Sequence, residues 1–326
     1  MKDKKQNKRI NGGHRLLFFC ILCLFGLYVA VSYAEEQPQR EQSKTKVILL
    51  HTDNLTYDQY RHPGAQILTG NVQFQHDGVL MYCDSACFYE ATNSFDAFGH
   101  VKMVQGDTLD LVGDMLLYNG LDQLARVRYN VVLTHRESKL YTDSLDYDRL
   151  YELGYFFEGG KLVDKDNVLT SDWGQYSPPT RQAVFNYNVK LENPKFTLIS
   201  DTLNYNTLTS MAEIVGPSNI DSGDNHIYSE SGFYNTQTEE AILLDRSIVT
   251  NKGRKMVGDS LYYDSKSGVG EGFRNVVYTD EVNKNMLTGN YCYYNDSTGY
   301  SMATDSAVAI DYSCLLYTSP SPRDTR

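Results

Sequence analysis

The carboxylates are the residues whose types and spacing could do chemistry in this chain. An acidic side chain recurs at Asp53, Asp84, Asp114, Asp143, Asp172, Asp201, Glu230 and Asp259, and Asn290 closes the series. A regular acidic ladder invites a calcium reading. Calcium-binding solenoids, however, use a glycine-rich G-G-x-G-x-D repeat of nine residues. Neither those glycines nor that period is present, and one carboxylate every 29 or so residues builds a ladder, not a cage. Paired carboxylates could instead serve general acid and base roles on a glycan. Asp107 with Asp110, or Asp143 with Asp146 and Asp148, could be nominated, but the second group belongs to the repeat itself. His51, His76, His100, His135 and His226 are scattered and are expected to be solvated strand-edge residues. No G-x-S-x-G, H-E-x-x-H or phosphate-loop motif occurs. The chain reads as a non-enzyme with no catalytic residue, no metal and no cofactor.

Six cysteines are present. Cys20 and Cys23 fall in the apolar N-terminal segment, leaving Cys83, Cys87, Cys292 and Cys314. Cys83 and Cys87 lie about 13 Å apart along a strand, beyond disulfide reach without a bulge. Unpaired, half-buried thiols are expected.

The ladder belongs to a five-residue phrase, D-x-L-x-Y, usually followed by Asn or Asp. Its clearest copies are Asp201–Tyr205, Asp143–Tyr147 and Asp259–Tyr263. Successive starts lie 31, 30, 29, 29, 29, 29, 29 and 31 residues apart. A constant period in this range marks a stacked array. Within the phrase, Leu203 and Tyr205 share one face by two-residue alternation, and Thr202 and Asn204 take the other. Turn residues follow, as at Asn206-Thr207, and then a second strand such as Gly70–Phe74, Gly99–Met103 or Asn188–Leu191. The expectation is an all-β, elongated, twisted jelly roll or solenoid-like stack of about nine 29-residue repeats. With one rung per unit it would be about 43 Å long. Each acidic residue is expected to sharpen the turn entering its strand.

Residues 1–34 carry six Lys/Arg ahead of an apolar run from Leu16 to Ala34, with Ser32 and Ala34 before Glu35. This is the pattern of a secretory signal, and the run is also long enough to remain as an inner-membrane anchor. Residues 35–46 read as a linker and 47–312 as the repeat domain. Residues 313–326 (SCLLYTSPSPRDTR) resemble nothing before them and read as a non-native tail on a shortened frame. Removing the six basic and one acidic residue of 1–34 from totals of 30 and 41 leaves a net charge of −16. That argues against nucleic acid, which requires a basic stripe.

The repeat resembles the OstA-like proteins, which group with the lipopolysaccharide-transport proteins LptA, LptC and the N-terminal domain of LptD. The residues that carry the likeness are Leu55-Thr56-Tyr57-Asp58 followed by Ala65–Val72, with its Gly70-Asn71-Val72 strand. The long, tyrosine-rich form is most similar to the OstA-like proteins of Bacteroidota. The resemblance spans roughly 47–312. It implies a periplasmic, non-enzymatic carrier in outer-membrane biogenesis, with lipopolysaccharide acyl chains in an apolar groove between two sheets. It also implies edge-to-edge joining to other Lpt-type jelly rolls. The groove-lining candidates are Leu55, Tyr57, Val72, Phe74, Val101, Met103, Leu116, Tyr118, Val131, Leu133, Leu145, Tyr147, Val189, Leu191, Leu203 and Tyr205. The competing expectation is a structural or adhesive β-solenoid without a lipid ligand.

Overall fold

The computed structural model describes residues 45–312. The expected leader, nearly all of the linker and the tail lie outside the described residues. Two short strands open the body, β1 (Ile48–His51) and β2 (Asn54–Tyr57). Sixteen long strands follow. The first eight are β3 (Gln66–His76), β4 (Val79–Tyr89), β5 (Ser94–Gln105), β6 (Leu109–Asn119), β7 (Leu124–His135), β8 (Ser138–Asp148), β9 (Leu153–Asp164) and β10 (Asn167–Ser177). The next eight are β11 (Gln182–Asn193), β12 (Phe196–Asn206), β13 (Met211–Ser222), β14 (Asn225–Asn235), β15 (Glu240–Asn251), β16 (Arg254–Asp264), β17 (Val269–Asp280) and β18 (Asn285–Asn295). The short β19 (Tyr300–Thr304) and β20 (Val308–Asp311) close the array. From β3 to β18 every strand pairs antiparallel with the next, a continuous meander. Strands β1 and β2 share the outer edge of β3, and β19 and β20 share that of β18.

Each 29-residue unit therefore supplies two rungs, not one. Sixteen long strands at about 4.8 Å apart extend roughly 70 Å, in place of the expected 43 Å. The Asn or Asp after each phrase makes the turn. Asn206 Oδ1 accepts the Leu208 and Thr209 amides at 2.9 and 3.0 Å, and Asn235 repeats this with Gln237 and Thr238. These are Asx turns, in which the side chain replaces a backbone acceptor.

Every long strand is creased at its middle. Strand β6 buries Leu109, Leu111 and Gly113, then Leu116 and Tyr118. The alternation changes parity at Asp114, where the register against β7 shifts between Val112 and Met115. Its partner β7 buries Ala125 and Val127, then Val131 and Leu133, with Tyr129 and Asn130 inserted in the left-handed region (φ 63° and 51°). This is a β-bulge, one extra residue on one strand that bends the pair. The parity change keeps the apolar residues of both halves on one face. The sheet folds along its creases into two facing layers, and its core is one continuous cluster.

The acidic ladder sits on this crease, which corrects its expected place at the strand entry. Asn71 donates to Asp53 at 2.9 Å, Asn130 to Asp114 at 2.6 Å, Asn188 to Asp172 at 2.6 Å and Asn275 to Asp259 at 2.7 Å. His100 pairs with Asp84 at 2.7 Å in the same place. Gly99 (φ 73°) completes that corner, because a Cβ there would lie 2.4 Å from Asp84 Oδ2. These five carboxylates are crease clips on the outer surface, tying one strand to the next, and Asp143 joins them by accepting the Asn130 amide at 3.0 Å.

Candidate functional site

The interior between the two layers is one continuous apolar surface. Phe74 of β3 stacks on Phe95 of β5 at a centroid distance of 4.1 Å, and Phe196 of β12 meets Tyr234 of β14 edge-on at 4.8 Å. These strands are not neighbours in the ladder, so the contacts cross the interior. Of the expected groove residues, fourteen from Val72 to Tyr205 lie in the buried cluster. Leu55 and Tyr57 do not. They lie on the short β2, 53% and 60% exposed, because no second layer covers that strand. The interior is filled with side chains. An apolar void among Val249, Met256, Leu261, Tyr263, Tyr278 and Tyr294 has a volume of about 20 Å³.

The mouth of the fold is closed by a polar seam. The third and fifth residues of the phrase point inward, but the fifth does more than pack. Its ring ends at one edge of the folded sheet, and its hydroxyl reaches the opposite edge. Tyr118 Oη meets His76 Nδ1 at 2.7 Å, and Tyr176 Oη meets His135 Nδ1 at 2.8 Å. Tyr205 donates to Asp164 Oδ2 at 2.8 Å and accepts from Asn167 at 2.9 Å. Tyr263 donates to Asn225 at 2.8 Å, and Arg254 donates to Tyr294 at 2.6 Å. Arg149 also donates to the Tyr118 hydroxyl and, through Nη2, to the His76 carbonyl at 3.1 Å. The phrase uses Tyr where Phe would fill the same space because a phenol has an apolar body and a polar tip. No backbone ladder crosses this seam among the pairings of β3 to β18; side chains hold it.

The scattered histidines divide accordingly. His76 and His135 are 1% and 7% exposed, so the expectation of solvated strand-edge residues fails for them. Both occupy the inward position at the end of a long strand, and the seam gives each a partner. Burial pushes the His76 imidazole below its ordinary pKa, helped by Arg149 and opposed by Asp77. Burial, with Arg136 and Arg181, does the same to His135. A base whose folded pKa lies below its unfolded value stabilises the fold in its neutral form. That stability is complete above the unfolded value near 6.5 and is lost as pH falls below it. Lowering the pH from 7.5 to 5.5 is expected to speed amide exchange at the ends of β3 and β7, after correction for intrinsic rates. His76→Gln and His135→Gln should each remove the pH dependence at its own strand. Persistence of the effect in both variants would count against the seam histidines as its source.

Cys83, Cys87 and Cys292 are free, and only Cys87 is half-buried as expected; Cys83 and Cys292 are buried in the core, and Cys314 lies outside the described residues. Burial, then the nearby Asp84, pushes the Cys83 thiol up to about 12, so it stays protonated. Among the described residues no group of three His, Cys, Asp or Glu could hold a metal ion, and no helix is long and apolar enough to cross a membrane.

A long antiparallel meander folded on a line of bulges, with an apolar interior behind a side-chain seam, defines an all-β repeat protein of the jelly-roll kind. The chain matches the family described as OstA-like protein over residues 44–201 and 197–259, and it belongs to that family. No curated protein matches it in sequence. Among solved structures, it is similar to LptH of Pseudomonas aeruginosa, described as the LptA-homologous periplasmic component of the conserved lipopolysaccharide transport device. That alignment has 16% identity and a TM-score of 0.31, and it covers 33% of this chain and 82% of the other.

Proposed function

We propose that this chain is a non-enzymatic periplasmic carrier of lipopolysaccharide in outer-membrane biogenesis, holding acyl chains between the two layers of its folded sheet. The observation that carries the reading is the combination of a continuous apolar interior with a mouth closed only by side chains. Acyl chains gain about 0.8 kcal/mol per buried CH₂. Parting the seam breaks hydrogen bonds worth about 1 kcal/mol each and leaves the backbone ladders intact. Membership of the OstA-like family and the described role of LptH agree with it. The short, largely exposed end strands β1, β2, β19 and β20 suit joining to further Lpt-type jelly rolls.

A photo-crosslinking residue tests the reading. At Phe74, which is fully buried, it should capture lipopolysaccharide acyl chains; at the outward Gln73 it should not. Capture from Gln73 alone would sink the proposal. The filled core favours a second reading, a structural β-solenoid without a lipid ligand. Native mass spectrometry after mild extraction separates the two, because a carrier should retain lipid and a filled solenoid should not.

A further inference from the structure

The seam has a gap. Three of its phenols face strand ends 41 or 42 residues earlier: Tyr118 faces His76, Tyr176 faces His135 and Tyr205 faces Asp164. The same offset sets Tyr147 against Gln105. That rung is not made. Tyr147 Oη and Gln105 Oε1 are both buried without a hydrogen-bond partner. Tyr147 is 0% exposed, and the Gln105 amide turns away to donate to Glu152 at 2.6 Å.

The unmade rung borders a cavity of about 460 Å³ that also takes in Leu109, His135, Arg136 and Arg181. A second cavity of about 280 Å³ shares His135, Arg136 and Arg181 and adds Ser138, Asp164 and Lys165. The two arginines come from opposite lips of the mouth. Arg136 lies in the turn between β7 and β8, and Arg181 in the turn between β10 and β11, each with φ 56°. Neither guanidinium has an ion pair or hydrogen bond among the described residues; the Arg181 carbonyl accepts from Thr207, and the Arg136 amide donates to the Thr108 carbonyl. The carboxylates nearby are engaged elsewhere: Glu152 accepts from Gln105, and Asp164 accepts from Ser138 and Tyr205. Glu137 is exposed at the rim, and Lys165 donates to Ser210 at 3.2 Å.

We infer that this gap is a binding site for the phosphorylated, hydroxyl-bearing headgroup of an amphiphile. Guanidinium forks match phosphate oxygens in pairs, and two of them converge here without partners. The Tyr147 hydroxyl, kept protonated by burial, supplies a further donor. Gln105 Oε1 needs a donor in return, which a headgroup hydroxyl provides and a bare phosphate dianion does not. Leu109 at the cavity wall joins the site to the apolar interior, so the tails of the same molecule can continue inward. A body with net charge −16 outside its first 34 residues repels anions at long range, which makes a local pair of arginines necessary.

This inference rests on the carrier reading and names the part of the lipid that the seam would grip. The test compares three probes on the full chain: lipopolysaccharide, the same lipid enzymatically dephosphorylated, and glucosamine 1-phosphate. The parent should bind the phosphorylated lipid at least ten-fold more tightly than its dephosphorylated form. R136Q/R181Q should abolish that ratio and leave binding of the dephosphorylated lipid unchanged. A variant that removes two remote exposed cations, K255Q/K284Q, should keep the ratio. No ratio in the parent, or a ratio that survives R136Q/R181Q, overturns the headgroup site and leaves the carrier reading standing. If neither lipid binds, the carrier reading fails. Glucosamine 1-phosphate binding lost in R136Q/R181Q would then support a site for a soluble sugar phosphate and overturn its assignment to an amphiphile; no such binding overturns the site altogether.

Discussion

Replacing Tyr205 with Phe is expected to lower the stability of the folded body by about 2 kcal/mol, whereas the same change at Tyr147 should leave it within about 0.5 kcal/mol. The two rings occupy equivalent positions in the phrase, and both are 0% exposed. They differ at the hydroxyl. Tyr205 donates to the carboxylate of Asp164, itself 2% exposed, and accepts from Asn167. Removing the hydroxyl leaves a buried charge and a buried amide each short of one partner, and such losses cost the full desolvation of the orphaned group. Tyr147 has no partner to orphan. Urea midpoints at unchanged slope measure both effects. Equal losses in the two variants would show that the phenols matter for packing alone and that the seam does not hold the mouth.

The inward pair of each phrase was legible in the sequence because alternation needs only five residues. Leu203 and Tyr205, or Leu116 and Tyr118, face the core as their two-residue spacing requires. The length of the strands was hidden, because a bulge in mid-strand interrupts the alternation that marks a strand. Asp114 stands between Gly113 and Met115 of one 11-residue strand, yet it reads as a strand start because the parity of burial changes there. The first copy shows a limit of another kind. Leu55 and Tyr57 fit the phrase and remain exposed, since burial depends on a facing layer that a local pattern does not contain. The seam partners are separated from their phenols by about 40 residues. Their identity changes from His to Asp to Arg along the chain, so no repeat of residue type announces them. Gln105 and Arg181 became visible as a site only when the offset between the edges was known.

The second large effect concerns how neighbouring units trade volume inside the core. Phe156 of β9 occupies a column that holds Ala97 in β5 and Val127 in β7, and its ring lies over Gly160 and Gly174. A Cβ at Gly160 would come within 2.3 Å of Phe156 Cδ2, and one at Gly174 within 2.4 Å of its Cζ. The corresponding residue to Gly160 in β7 is Val131. Phe156→Ala should therefore cost about 3–5 kcal/mol, as an emptied aromatic site does. Gly160→Val alone should also destabilise, by about 1–3 kcal/mol of overpacking. The double variant Phe156→Val with Gly160→Val restores the Val127 and Val131 pairing of β7 and should recover much of the loss. Recovery stays partial because the space above Gly174 is left empty. A double-mutant cycle through Phe156→Val, Gly160→Val and the pair should show a favourable coupling of about 1–3 kcal/mol. Additive losses would mean that each unit packs independently of the volume its neighbours leave, and the interior could then accept a guest only where a side chain is removed.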